Sequence, residues 1–235
     1  MTPDATPRFP ALVVFDINGT TVQDDGAVPV AIEGALAAEG LGATPQDIAA
    51  VRGAAKRDAF RRLASGAGRG ADVGERLYDR FVGLVGQRYS SDPPRAIPGA
   101  ADTFAWLRHQ GARVALNTGF ERETVTPLLA ALGWDSGTVD VVVCGDEAGR
   151  GRPAPDMIHL AMRQTGVTDP SRVMVVGDTV LDLEAGTAAG AGWVVGVTSG
   201  AHARERLAAA PHTHLIVSVA EIPELLSATA PGRTP

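Results

Sequence analysis

Asp16 ends the apolar run Ala11-Leu12-Val13-Val14-Phe15 and is followed by Ile17-Asn18-Gly19-Thr20-Thr21. A buried strand reads this way, and open parallel α/β sheets bind ligands just beyond the carboxyl ends of their strands. A carboxylate delivered there can attack an electrophile, or it can do no more than cap a turn. Three later stretches bear on the choice. Ala115-Leu116-Asn117-Thr118-Gly119-Phe120 offers the Thr118 hydroxyl and the backbone N–H groups of a starting helix, a set that suits anion oxygens and equally an ordinary helix cap. Gly149-Arg150-Gly151-Arg152-Pro153-Ala154-Pro155-Asp156 holds Arg152 in a loop stiffened by prolines. A fixed guanidinium matches a phosphoryl group, although loop arginines are commonly just solvated. Val175-Val176-Gly177-Asp178-Thr179-Val180-Leu181-Asp182 places two carboxylates about one helical turn apart at another strand end. Carboxylates gathered in one crevice repel one another unless a cation lies among them, and Mg²⁺ takes one or two carboxylates with water and substrate phosphate.

Of the 21 residues counted as lysine plus arginine, Lys56 alone is lysine. In a chain that otherwise uses arginine throughout, a single lysine is either drift or a place where the amine must be able to lose its proton and attack a carbonyl. The adjacent Asp24 and Asp25 read as a solvated turn rather than as paired acid and base.

These residues need elements to position them. Residues 1–10, with three prolines and no periodicity, read as a disordered lead-in. The first strand follows at 11–15. From Val28-Pro29 to about Pro94 the pattern is helical throughout: a short helix carrying Ala31, Ala35, Leu36 and Ala38, a capped start at Thr44-Pro45, a helix entered through Gly53-Ala54-Ala55-Lys56, and a stripe of Leu77, Phe81, Leu84 and Val85. After a helix with Phe104, Trp106 and Leu107, strands and helices alternate: 113–117 then 121–132, 140–144 then 155–165, 173–177 then 181–189, 193–197 then 203–209, and a last strand near 214–217. Repeated βα units with continuous Val-rich strands predict an α/β fold with a doubly wound parallel sheet and a small inserted helical cap. The expected division is core at 1–21, cap at 22–95 and core again at 96–235.

A formal charge of −6 provides no basic surplus for nucleic acid or an anionic membrane surface. No apolar run reaches the roughly 18 residues of a membrane span, and the first residues lack the pattern of a signal peptide, so a cytoplasmic protein is expected. The single cysteine, Cys144, reads as a buried thiol at a strand end.

Asp16–Thr20, Thr118, Arg152 and Asp178–Asp182 together resemble the four motifs of the haloacid dehalogenase-like hydrolases, and Thr-Gly-Phe, Gly-Arg-Pro-Ala-Pro-Asp-Met and Val-Gly-Asp-Thr-Val-Leu-Asp resemble its phosphonatase branch. The resemblance implies a Rossmann-like core, a phosphoaspartate formed on Asp16, and Mg²⁺ held by Asp16, Asp178 and the backbone carbonyl of Asn18. Thr118 and Arg152 would bind the phosphoryl oxygens, Thr179 and Asp182 would support the site, and Asn18, Gly119 and Arg52 would touch the substrate. It also implies that Lys56, in the corresponding cap segment, forms a Schiff base with an aldehyde, and that the cap is a possible homodimer contact.

Two departures from that pattern stand out. Phosphonatase caps carry a histidine one turn after the lysine, where this chain has Ala59, and position 18 is Asn, an amide with no proton to give or take. Most phosphatases of the superfamily have an aspartate there, whose acid–base help is worth roughly 10²–10⁴-fold. Two enzyme readings follow. In one, a small phosphonate is cleaved through a Lys56 imine. In the other, a small phosphate monoester is hydrolysed, with Asn18 native or a replacement of an aspartate. A phosphoryl-ligand sensor without turnover is the third.

Overall fold

A computed structural model describes residues 9–42, 44–52 and 54–228. Most of the expected lead-in at 1–10, and Gly53 ahead of Lys56, lie outside the described residues.

Six strands form one parallel sheet: β1 (Leu12–Asp16), β2 (Arg113–Asn117), β3 (Val141–Val143), β4 (Val173–Gly177), β5 (Trp193–Val197) and β6 (His214–Ile216), in the order β3-β2-β1-β4-β5-β6. The helices are α1 (Ala27–Ala38), α2 (Pro45–Val51), α3 (Lys56–Gly66), α4 (Ala71–Ser91), α5 (Ala100–His109), α6 (Arg122–Leu132), α7 (Asp156–Thr165), α8 (Val180–Ala188), α9 (Arg204–Ala208) and α10 (Ile222–Ala228). This is the doubly wound α/β fold that the alternating pattern predicts.

Side chains alternate across the central strands with the period of two that a pleated sheet imposes. Val13, Phe15, Val114, Leu116, Met174 and Val176 face one layer, with Phe104 and Leu107 of α5, Leu128 of α6 and Ile222 of α10. Leu12, Val14, Ala115, Val143, Val173 and Val175 face the other, against Met157, Ile158 and Ala161 of α7 and Ala185 of α8. Both faces are covered, which is why the strands read as unbroken apolar runs. Chain direction across the sheet reverses between β1 and β4, so a crevice opens beyond their carboxyl ends, where Asp16 and Asp178 stand.

Helices α1 to α4 occupy the chain between β1 and α5, and no strand is found among the described residues from 27 to 91. Leu77, Phe81 and Val85 are buried, and Phe81 stacks at tilted angles on Phe60 of α3 and on Phe120 beyond β2, with ring centroids 5.3 and 5.9 Å apart. The two segments joining this helical unit to the sheet run side by side. Gln23 N–H donates to the Arg95 carbonyl and Ile97 N–H to the Thr21 carbonyl, both at 2.8 Å.

Some boundaries differ from the sequence reading. Helix α1 starts at Ala27, one residue before the expected Val28-Pro29, and accommodates Pro29 because it falls in the first turn, where a missing N–H costs nothing. Strand β3 lacks the outer residues of the expected 140–144: the Asp140 carboxylate accepts the Val114 N–H at 2.8 Å, and Glu147 accepts that of Cys144 at 2.9 Å. The Cys144 thiol is buried as expected, and burial pushes its pKa up to about 12. No described helix is long and apolar enough to cross a membrane.

Candidate functional site

Asp16 is the last residue of β1, paired with Asn117 of β2 and directly following Phe15, which pairs with Val176 of β4, so its backbone is fixed at the switch point. The next turn is tight: Gly19 has φ +89°, and a Cβ at Gly19 or at Gly200 would collide with the Asp178 carboxylate. Those two glycines are the reason a carboxylate at the β4 tip lies against the turn that leaves β1. Asp178 is buried, accepting from the Thr20 hydroxyl at 3.2 Å and from the Ala201 N–H at 2.5 Å.

Arg152 is buried between two carboxylates. Its Nη1 meets Asp16 Oδ1 at 2.7 Å and also pairs with Asp182 Oδ1. The loop arginine is therefore not solvated; desolvation would be prohibitive without those partners. Asp182 reaches it from the third residue of α8, where its other oxygen accepts from the Thr179 N–H and hydroxyl, at 3.1 and 2.5 Å, in a reciprocal capping box. Helix start and site support are one structure.

Thr118 is not the cap of α6, a position held by Glu121. Its hydroxyl oxygen accepts the Phe120 N–H at 3.2 Å, which leaves the hydroxyl proton to donate into the cavity. Gly119 serves differently from the substrate contact expected of it alone: its carbonyl accepts the Lys56 N–H at 3.1 Å, and a Cβ would strike the Ala54 carbonyl. It is a point of close approach between the helical unit and the sheet.

Lys56 opens α3 and is 5% exposed. Its Nζ donates to the carbonyls of Val51 at 3.1 Å and Ala54 at 3.2 Å and stands 5.3 Å from the Phe120 ring centroid. Burial, then the Arg152 guanidinium, brings its pKa down to about 7 against the pull of Asp16. A neutral amine has two N–H groups; with both donated to carbonyls, its lone pair is free.

Asp16, Asn18, Asp24, Arg52, Lys56, Thr118, Arg152 and Asp178 all line one cavity of about 30 Å³, together with Gly119 and Thr179. The structure thus brings every site residue expected from sequence into one wall except Asp182, which stands behind Arg152. Asp25 keeps the exposed turn position expected of it, paired with Arg95 at 2.5 Å. Asp24 does not. It is buried in the cavity wall against Arg52, whose guanidinium meets it at 2.5 Å, because the chain folds Arg52 at the end of α2 back over the β1 tip.

Three further residues, none of them among the site residues expected from sequence, stand at or beside the cavity. Tyr89 at the end of α4 accepts from Asn18 Nδ2 at 3.0 Å. Phe120 walls Lys56. His202 is held neutral, its pKa down to about 4, by burial and then by Arg206 and Arg52. Its Nδ1 accepts the Val180 N–H at 3.1 Å, which puts the ring proton on Nε2. His202 and Arg206 stand with Arg62, Arg52 and Arg152 along a cleft of about 590 Å³.

Residues 10–190 match the sequence model described as haloacid dehalogenase-like hydrolase. The chain belongs to the haloacid dehalogenase-like hydrolases. Within that family it is 32% identical to the phosphoglycolate phosphatase of Pseudomonas putida over 82% of this chain and 71% of that one, and 30% identical to the phosphonoacetaldehyde hydrolase of Hahella chejuensis over 80% and 67%. Among solved structures, a phosphonoacetaldehyde hydrolase-like protein from Oleispira antarctica superposes with a TM-score of 0.81 at 25% identity, covering 97% of this chain and 98% of that one. A hydrolase from Pseudomonas syringae superposes with a TM-score of 0.83 at 22% identity, covering 94% and 99%, which shows the shared fold.

The residues of this hydrolase suit a divalent cation. Burial, then repulsion from Asp16 and Asp182, pushes Asp178 up to about 8, and burial lifts Asp16 to about 6 despite Arg152. Asp178 forms no ion pair among the described residues. Among the described residues, no group of three or more His, Cys, Asp or Glu closes a cage there. Two buried carboxylates without a full cage fit Mg²⁺, which keeps water and substrate oxygens in its remaining positions.

Proposed function

We propose that this hydrolase moves a phosphoryl group from a small phosphonate to Asp16 and then to water, with residues 22–95 as a cap over the core and Lys56 forming an imine with a substrate carbonyl. One observation carries this reading: the chain's single lysine is buried, its pKa brought to about 7, in the same cavity as the buried strand-end carboxylate Asp16. A P–C bond cannot break without a place for the carbon's electron pair. Lys56 supplies it. The Lys56 amine condenses with the carbonyl and releases water; Asp16 then attacks phosphorus, and the P–C pair flows into the iminium to give an enamine. Protonation and hydrolysis of the enamine return Lys56.

Arg152 and the Thr118 hydroxyl hold the phosphoryl oxygens in line with Asp16, and Asp182 with Thr179 keeps Arg152 in place. Mg²⁺, held by Asp16, Asp178 and the carbonyl of Asn18, would offset the charge that builds on those oxygens. Arg52, Gly119 and Asn18 line the side where the rest of the substrate lies. Relatives named as phosphonoacetaldehyde hydrolases support this branch.

A second reading, hydrolysis of a small phosphate monoester, is favoured by the two carbonyl bonds of Lys56, which suit a lysine that anchors its own loop, and by the phosphoglycolate phosphatase relative. Borohydride treatment in the presence of phosphonoacetaldehyde, followed by peptide mapping, separates the two. A reduced adduct on Lys56 supports the imine. Absence of any adduct, together with turnover of a phosphate ester, refutes it.

A further inference from the structure

Asp24 lies eight residues beyond Asp16, in the segment leaving β1, with its side chain 6% exposed. Its two oxygens differ. Oδ2 accepts from Arg52, whereas Oδ1 is buried and has no hydrogen-bond partner. A second orphan acceptor is Asn18 Oδ1, on a residue that lines the same cavity, since Tyr89 takes only the amide nitrogen of Asn18. Buried acceptors of this kind are costly unless something donates to them. The cavity they share with Asp16 measures about 30 Å³, above the roughly 10–15 Å³ one water needs, and a water has two protons to donate.

We infer that Asp24 Oδ1 and Asn18 Oδ1 hold the water that hydrolyses the phosphorylated Asp16, with Asp24 as its general base. The inference rests on Asp16 being the phosphoryl acceptor. With both its protons given to these acceptors, the water turns a lone pair on phosphorus. Its oxygen bonds to phosphorus, the bond from phosphorus to the Asp16 oxygen breaks and returns its pair to that carboxylate, and one water proton passes to Asp24 Oδ1. Phosphate leaves, and Asp24 gives its proton to solvent. Asn18 can orient the water but cannot take its proton, which is why a carboxylate from elsewhere is required. The assignment holds whether the first step breaks a P–C or a P–O bond.

The test uses the full chain with Mg²⁺ and ³²P-labelled acetyl phosphate, acid-quenched and counted for label on protein. Asp24→Asn should take up label at nearly the wild-type rate and lose it roughly 10²–10⁴-fold more slowly, so that labelled Asp16 accumulates. Adding Asn18→Asp to that variant should restore decay, and Arg52→Met, which breaks the same ion pair but keeps the Asp24 carboxylate, should lose whatever label it takes up without the slowing seen in Asp24→Asn. If Asp24→Asn lacks the wild-type near-ultraviolet circular dichroism, Asp24→Ser takes its place. Decay at the wild-type rate, or equal slowing of uptake and decay in both the Asp24 and Arg52 variants, overturns the inference in favour of a cap clamp. Absence of label on Asp16 in every protein overturns the nucleophile assignment itself.

Discussion

Replacing Lys56 by methionine isolates what burial does to its amine. A lysine pKa lowered from 10.5 to about 7 means that the unfolded chain binds a proton the folded chain refuses throughout that interval. Stability therefore rises with pH between 7 and 10.5, and the strain of burying the amine is greatest at and below pH 7. At about 1.4 kcal/mol per unit, the full shift corresponds to about 5 kcal/mol, of which about 3–4 kcal/mol is relieved between pH 7 and pH 10. Methionine keeps the side chain's length and removes the titration. It also leaves the Val51 and Ala54 carbonyls without their donor, a loss that does not vary with pH and cancels in the comparison. Urea unfolding of both proteins in chelator-containing buffer at pH 7, 8.5 and 10 gives the difference directly. The variant's advantage over wild type should shrink by about 3–4 kcal/mol across that range. A difference that stays constant with pH would mean an ordinary ammonium, and with it the free lone pair that the imine mechanism needs would be gone.

Arg152→Met should abolish turnover and cost about 3–5 kcal/mol of stability by urea titration, since Asp16 and Asp182 would be left buried without their cation. Gly119→Ala, whose Cβ meets the Ala54 carbonyl, should force the helical unit off the β2 tip and lower p-nitrophenyl phosphate turnover about tenfold or more, with faster cleavage between β1 and α5 in limited proteolysis. Asn18→Asp should raise phosphate-ester hydrolysis by about 10²–10⁴-fold in steady-state assays if leaving-group protonation is what ester substrates lack here.

The strands and their polar tips were legible in the sequence because each is an apolar run cut off by one or two polar residues, and a parallel sheet brings such ends together. Lys56 was legible for another reason, its contrast with the arginine used at every other basic position. Asp24 was not. A carboxylate in a polar turn has the same local composition whether it faces water or a cavity, and its burial depends on Arg52, 28 residues away in the helical unit. Tyr89 was hidden similarly: 71 residues separate it from Asn18, and nothing near it marks the end of α4 as a wall of the site. The Thr118 hydroxyl fell between two readings that only the position of Glu121 at the α6 cap could separate.

The paired linkers at Thr21–Gln23 and Arg95–Ile97 bear on how such a protein diversifies. The helical unit leaves and re-enters the sheet through neighbouring strands of chain one hydrogen bond apart, so its two ends already meet before any helix is added. A different insert of any length could be joined at the same pair of residues without changing the register of β1 or the placement of Asp16. If the function proposed above holds, the insert and the sheet that carries Asp16 are separable parts, and a chimaera grafting residues 27–94 from a relative, which keeps Asp16, Asp24, Thr118 and Arg152 of this chain, tests whether substrate preference moves with the insert.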